Sequence, residues 1–198
     1  MNSLSKYLKS NQIGFTIAPC YASSRESIAS HASAFRELVE NLPCNPTIDI
    51  VGHSLGNIVV RHAIADWQSM GDSQDVIERM KHMVMLGPPN QSAAIAVQLA
   101  RTGLFGVIAG QSGLELGRDR VNLQHRLAKP PFPFAIVAGN LSSSMISNPL
   151  IDRASDFVVS VNETELEGAA IKIEVPVMHS FLMDDKKVHA FIADFLTR

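Results

Sequence analysis

Cysteine is nearly absent from this sequence: Cys20 and Cys44 are the only two in 198 residues. That excludes a disulfide framework and leads us to expect two free thiols in a reduced compartment. Neither a CxxC nor an HExxH spacing occurs, so no metal site is written in the chain and no cofactor is implied. Charge of one sign is lacking too, with 17 Lys and Arg against 19 Asp and Glu and the basic residues scattered. A nucleic-acid partner, which would need a basic stripe to displace counterions, is therefore not expected. Long apolar runs are also missing. The stretch from Ala93 to Gly110 is interrupted by Gln98 and Arg101, short of the roughly 20 clean residues that a membrane-spanning helix needs. The opening Met1 to Leu8 is polar and has no apolar core of the kind found in signal peptides, so a soluble, cytoplasmic protein is the default expectation.

What the sequence does have is enough apolar material (46% hydrophobic) for one full core, and a single domain over 1–198 is expected. Short β-branched runs alternate with helical patterns. This predicts a mostly parallel sheet flanked by helices on both sides, a three-layer α/β arrangement. Leu4 to Ser10 reads as the end of a helix, and Gly14 to Ala18 as a strand stopped by Pro19. Ile28, Ala32, Phe35, Leu38, Val39 and Leu42 share one helical face that Pro43 ends. Ile48 to Val51 is a strand, and helical spacing resumes from Leu55 through Ile58, Val59, Ala63 and Trp67. Further strands are predicted at Met83 to Leu86, Pro133 to Ala138 and Ile171 to Val177, and a last helix carries Val188, Phe191, Ile192, Phe195 and Leu196 on one stripe. Between 91 and 129 the chain is less regular; its apolar helical stretches suit either a cap over a site or two packing helices.

The turn between the first of these strands and its helix reads Gly52-His53-Ser54-Leu55-Gly56, a G-x-S-x-G pattern. A serine hydroxyl is a weak nucleophile at neutral pH. It needs a base to take its proton, a carboxylate to hold that base, and N–H donors for the developing oxyanion. A sharp strand-to-helix bend supplies the placement, with the free N–H groups of a helix start behind the serine. The pentapeptide alone is a moderate signal, and Ser54 could be an incidental turn serine. A strand before it and an amphipathic helix after it make it the candidate nucleophile.

Proteins built on this bend carry the nucleophile first, then the acid, then the histidine, the last two on loops after later strands. Of seven histidines, His31, His53 and His62 lie before or beside the elbow helix, and His82 opens a strand. His125 follows no strand, and His189 sits inside the last helix. His179 follows the strand Ile171 to Val177 and precedes the last helix, the position required of the base. For the acid, Asp156 lies past the loop after the Pro133 to Ala138 strand, with Asp152 its main rival and Glu163 further along. An aspartate in such a loop also serves as a helix or turn cap.

With these residues assembled, the chain resembles the α/β-hydrolase superfamily, close to the small bacterial lipase and esterase type. The resemblance rests on Val51 to Gly56, on Leu86-Gly87-Pro88-Pro89-Asn90, on Ser155 to Val161, and on Pro176 to Leu182. It implies an α/β-hydrolase fold, a triad of Ser54, Asp156 and His179, and the N–H of Leu55 as one oxyanion donor. It further implies hydrolysis of a small-molecule or lipid ester through an acyl-enzyme. One departure from the pattern is the absence of any His-Gly dipeptide, which in such proteins ends an early strand and supplies the second oxyanion donor. The chain is therefore expected to be shortened at its N-terminus by that strand and loop. Two alternatives follow: a catalytically impaired or non-catalytic hydrolase fold, and an acyltransferase using the same triad.

Overall fold

The structure is a computed structural model that describes residues 2–18, 27–43, 46–70, 74–91, 126–143 and 154–198. In chain order these form α1 (Asn2–Ser10), α2 (Ile28–Glu40), β1 (Ile48–His53), α3 (Leu55–Met70), α4 (Gln74–Arg79), β2 (Met80–Leu86), β3 (Phe134–Gly139), β4 (Ile171–Val175) and α5 (Lys186–Leu196). Three single-turn 3-10 helices, Leu141–Ser143, Val161–Thr164 and His179–Phe181, punctuate the second half.

The four strands pair in the order β1-β2-β3-β4, every pair parallel. Because strand side chains alternate, the two faces of β2 and β3 feed two separate cores. Met83, Met85, Phe134 and Ile136 pack with Ala32 and Val39 of α2 and with Val59, Val60, Ala63, Ile64 and Trp67 of α3. Val84, Leu86, Ala135 and Val137 pack with Leu4 and Leu8 of α1 and Val188, Ile192 and Phe195 of α5. The sheet is thus covered on both faces, and the three-layer α/β reading holds. Trp67 joins the first of these layers internally: its ring sits 6.1 Å from that of Phe35, and its Nε1 donates to Glu40 Oε1 at 2.8 Å. Full burial of side chains such as Leu86 and Ile192 contributes about 1.5–3 kcal/mol each.

Helix starts follow their caps. Ser27 Oγ accepts from Ser30 N ahead of α2, and Asp185 Oδ1 accepts from Lys187 N and Val188 N ahead of α5.

Two expectations need correction. Residues 14–18 form no strand; Phe15 is 92% exposed and Ile17 43%. Their β-branched and aromatic content suits a pleated surface, but among the described residues no strand pairs with them, and propensity without a partner does not make a strand. The strand predicted to run to Val177 ends at Val175, because Pro176 has no N–H to continue the ladder and Val177 N turns back to the Val175 carbonyl. The helix α4 was not foreseen. Most of the segment 91–129 considered as a cap lies outside the described residues, as do Asp152, His125, Cys20 and Cys44.

Candidate active site

Parallel strands deliver their C-terminal ends to one edge of the sheet, and the residues singled out above gather there. At the end of β1, Ser54 takes φ +51°, a left-handed conformation that a residue with a Cβ adopts only under constraint. The constraint is visible. Ser54 N donates to Leu86 O at 2.9 Å, and Asn57 holds the Ser54 carbonyl from both its main chain and its side chain, each at 3.1 Å. Asn57 Nδ2 also reaches Leu86 O at 3.3 Å, so the bend is tied to the neighbouring strand. A Cβ on Gly52 would fall on the Asn57 side chain, within 2.9 Å of Cγ, so this glycine is required by close approach. Gly56 differs: a Cβ there would meet nothing within 4 Å, and the second glycine of the pentapeptide answers to no described neighbour. Leu55, the first residue of α3, presents its N–H at the helix start, where no intrahelical acceptor is available.

Asp156 and His179, 23 residues apart, meet in a buried pair with Oδ2 and Nδ1 at 2.7 Å. Asp156 is fully buried and His179 is 6% exposed. The other carboxylate oxygen, Oδ1, accepts from Val158 N at 2.9 Å and Val159 N at 2.7 Å, so the acid cannot rotate away from the ring. The tight loop this demands carries Phe157 at φ +75°. Since a carboxylate only accepts, Nδ1 of His179 carries the proton, and Nε2 is left as the acceptor nitrogen. Nε2 is buried and has no hydrogen-bond partner among the described residues. A buried acceptor without a donor costs about 1–3 kcal/mol, and this one belongs to an imidazole already oriented through its other nitrogen.

Glycines admit this pair. Gly139, the last residue of β3, sits against the Cβ of Asp156 and 2.5 Å (from an added Cβ) from the Val177 carbonyl. Gly87, just after β2 and at φ +51°, would place a Cβ 2.9 Å from the imidazole of His179. Ser54 N is bonded to the carbonyl of Leu86, the residue before Gly87, so the serine turn and the imidazole border the same strand end.

The remaining candidates are engaged elsewhere. Glu163 completes a capping box, its Oε2 accepting from Ser160 N and Oγ at 3.0 Å each. His189 donates from Nε2 to the Met183 carbonyl at 2.7 Å, His82 pairs with Asp49 at 2.9 Å, and His62 lies 3.3 Å from Asp66. One contact was not anticipated from sequence. His53, set aside because of its place in the chain order, donates from Nε2 to the main-chain carbonyl of His179 at 2.9 Å. Burial first, and the neighbouring His179 second, lower its pKa from the usual 6.5 to about 4, so it is uncharged at neutral pH. Asn57 and the glycines at the ends of β2 and β3 were likewise missed as site residues, although a glycine within a residue of the ends of β1, β2 and β3 is a signal the sequence does carry.

With that geometry in view, comparison with known proteins is informative. Residues 30–88, which contain the whole serine turn, match the family described as "Putative serine esterase (DUF676)". No curated protein matches the chain. Among solved structures, the Bacillus licheniformis lipase BlEst2 in mature form superposes with a TM-score of 0.70 at 12% identity, covering 98% of this chain and 83% of that one. The metagenomic carboxyl esterase MGS0156 gives 0.67 at 18% identity, covering 98% of this chain and 63% of that one. Polyneuridine aldehyde esterase gives 0.57 at 11% identity, with coverages of 100% and 93%. The chain therefore has the α/β-hydrolase fold. No helix among the described residues is long and apolar enough to cross a membrane.

Proposed function

We propose that this protein is a serine hydrolase of carboxylic esters. Ser54 Oγ attacks the ester carbonyl while His179 Nε2 takes its proton. The oxyanion so formed is met by the N–H of Leu55 at the start of α3. Collapse expels the alkoxide, which takes the proton back from His179 and leaves as the alcohol, and Ser54 is acylated. Water then enters, gives a proton to His179, attacks the acyl carbonyl, and Ser54 leaves with that proton as the acid departs. Asp156 holds the imidazole in the Nδ1–H tautomer and stabilises the imidazolium that forms twice per turnover.

The observation that carries this reading is the orphaned Nε2: a buried imidazole, oriented through Nδ1 by a fully buried carboxylate, keeps its second nitrogen without a partner among the described residues, beside a strained serine turn. The esterase and lipase names of the matched family and of the superposed structures support an ester as substrate, whether small-molecule or lipid. A fluorophosphonate probe should label the wild-type chain and fail to label Ser54→Ala. Equal labelling of that variant would remove Ser54 from the reaction.

A further inference from the structure

His53 takes no part in the proton transfers above, yet it touches the proposed base through both its Nε2 and its ring. It is the last residue of β1, directly before Ser54. Its Nε2 lies 2.9 Å from the His179 carbonyl, and its ring rests on the His179 imidazole with centroids 4.8 Å apart and planes at 40°. The carbonyl can only accept, so Nε2 carries the proton. On the other side of the same residue, the N–H of His179 donates to the Asp156 carbonyl at 3.1 Å. The main chain of His179 is thus anchored twice, once to the acid loop and once to the strand that carries the nucleophile.

We propose that His53 is a positioning residue whose Nε2–H bond to the His179 carbonyl fixes the base relative to β1, keeping His179 Nε2 in register with Ser54. The proposal rests on the serine-hydrolase reading. Asp156 and His179 come from the loops after β3 and β4, and, the His53 contact aside, their hydrogen bonds among the described residues stay within these two loops or run from one to the other. Ser54 is fixed to β1 and β2 through Leu86 and Asn57. Without the His53 bond, the acid–base pair could slide as a unit over the serine turn without breaking a hydrogen bond of its own. Proton transfer from serine needs the heavy atoms about 2.6–3.2 Å apart, so such a slide stops the reaction. Among the described residues the only other donor to the His179 carbonyl is Leu182 N at 3.4 Å, within the same turn as His179 and so no link to β1. A neutral ring at this place also adds no positive charge beside an imidazolium, which a lysine or a protonated histidine would.

The test uses the full chain with His53→Gln, His53→Phe and His53→Asn. Glutamine sets an amide nitrogen the same number of bonds from Cβ as Nε2; phenylalanine keeps the ring packing without a donor; asparagine donates but falls short. Two measurements are made: kcat and KM for p-nitrophenyl butyrate together with the fluorophosphonate labelling rate, and the low-field proton resonance of His179 Nδ1–H. Loss of one such bond should lower kcat and labelling about tenfold in the Phe and Asn variants, with KM within about twofold. The Nδ1 resonance should shift or broaden in those two variants, while the Gln variant keeps both rate and resonance near wild type. Equal loss in the Gln and Phe variants, or wild-type rates and an unchanged resonance in both the Phe and Asn variants, overturns the proposal alone. Should the Phe variant fail to fold, the comparison of Asn with Gln decides the same point. Labelling of Ser54→Ala at the wild-type rate overturns the serine-hydrolase reading, and this proposal with it.

Discussion

Gly139→Ala is a small change whose consequences for the candidate site can be worked out from contacts. Gly139 closes β3 in ordinary strand conformation, so alanine introduces no backbone strain and, by propensity, suits the strand at least as well as glycine. Any loss must therefore come from the methyl itself. It would lie 2.5 Å from the Val177 carbonyl and against Asp156 Cβ, where carbon atoms at rest sit about 3.5–4.0 Å apart. Relief requires a movement of about 1 Å by the acid loop, the Val177–His179 segment, or both. The Asp156–His179 bond is 2.7 Å, and opening it by that amount leaves a contact too long to count as a hydrogen bond. Overpacking of this kind costs about 1–3 kcal/mol, which in a chain of this size lowers Tm by about 2–12 °C. A misplacement of about 1 Å costs on the order of 10²-fold in kcat. Ester hydrolysis with a chromogenic substrate and thermal denaturation read the two effects separately. The expected result is a fall of about two orders of magnitude in kcat with a modest fall in Tm. Wild-type kcat in a stably folded Gly139→Ala would refute the claim that this glycine sets the acid against the base.

Three further outcomes are expected. Asp156→Asn keeps the shape of the pair but offers the ring the wrong hydrogen-bond partner, so kcat should fall by about 10⁴ while the protein stays folded, as circular dichroism would show. For His53 the folded pKa, about 4, lies below the unfolded 6.5; between those values the unfolded chain binds a proton that the folded chain refuses. Stability from this group is therefore complete above pH 6.5 and falls as pH drops toward 4, at up to about 1.4 kcal/mol per unit. The Tm of His53→Gln should accordingly decline less than that of wild type between pH 7 and pH 4.5. Asp185→Ala strips two main-chain donors of their acceptor at the start of α5 and should cost about 1 kcal/mol, seen as a Tm lowered by about 2–4 °C with kcat unchanged.

Much of the fold was legible because burial on two faces writes itself into composition. Met83 to Leu86 and Phe134 to Ala138 read as unbroken apolar runs, as strands covered on both sides must, and α5 reads as a single stripe because only one side of it is covered. The same logic explains the failure at residues 14–18. Phe15, Thr16 and Ile17 have strand chemistry, but strand formation is a property of two segments, and a propensity carries no information about whether the second is present. At the candidate site, the turn at Ser54 was legible because it has a fixed local spacing, and the pairing of Asp156 with His179 because both lie after strands in a fixed order. The link from His53 to His179 was not. It joins residues 126 positions apart through a main-chain carbonyl, which every residue possesses, so no pattern of side chains announces it.

That contrast bears on how the site is built. The chemistry expected of Ser54, His179 and Asp156 depends on side chains, but their mutual placement depends on backbone. The Ser54 carbonyl is held by Asn57, the His179 carbonyl by His53, and the His179 N–H by the Asp156 carbonyl. A hydrogen bond to the main chain fixes the origin of a side chain, whereas a bond to its tip fixes only its direction. Three loops leaving three different strands must agree to within a few tenths of an ångström for a serine proton to reach an imidazole, and the stiff element they share is the sheet. Strand ends whose glycines let neighbouring loops touch, with backbone bonds crossing between those loops, pass the sheet's rigidity on to the side chains. On this argument Gly139, Gly87 and His53 belong to the proposed site as much as Ser54, His179 and Asp156, and substitutions of Gly139, Gly87 or His53 should damage turnover before they damage the fold.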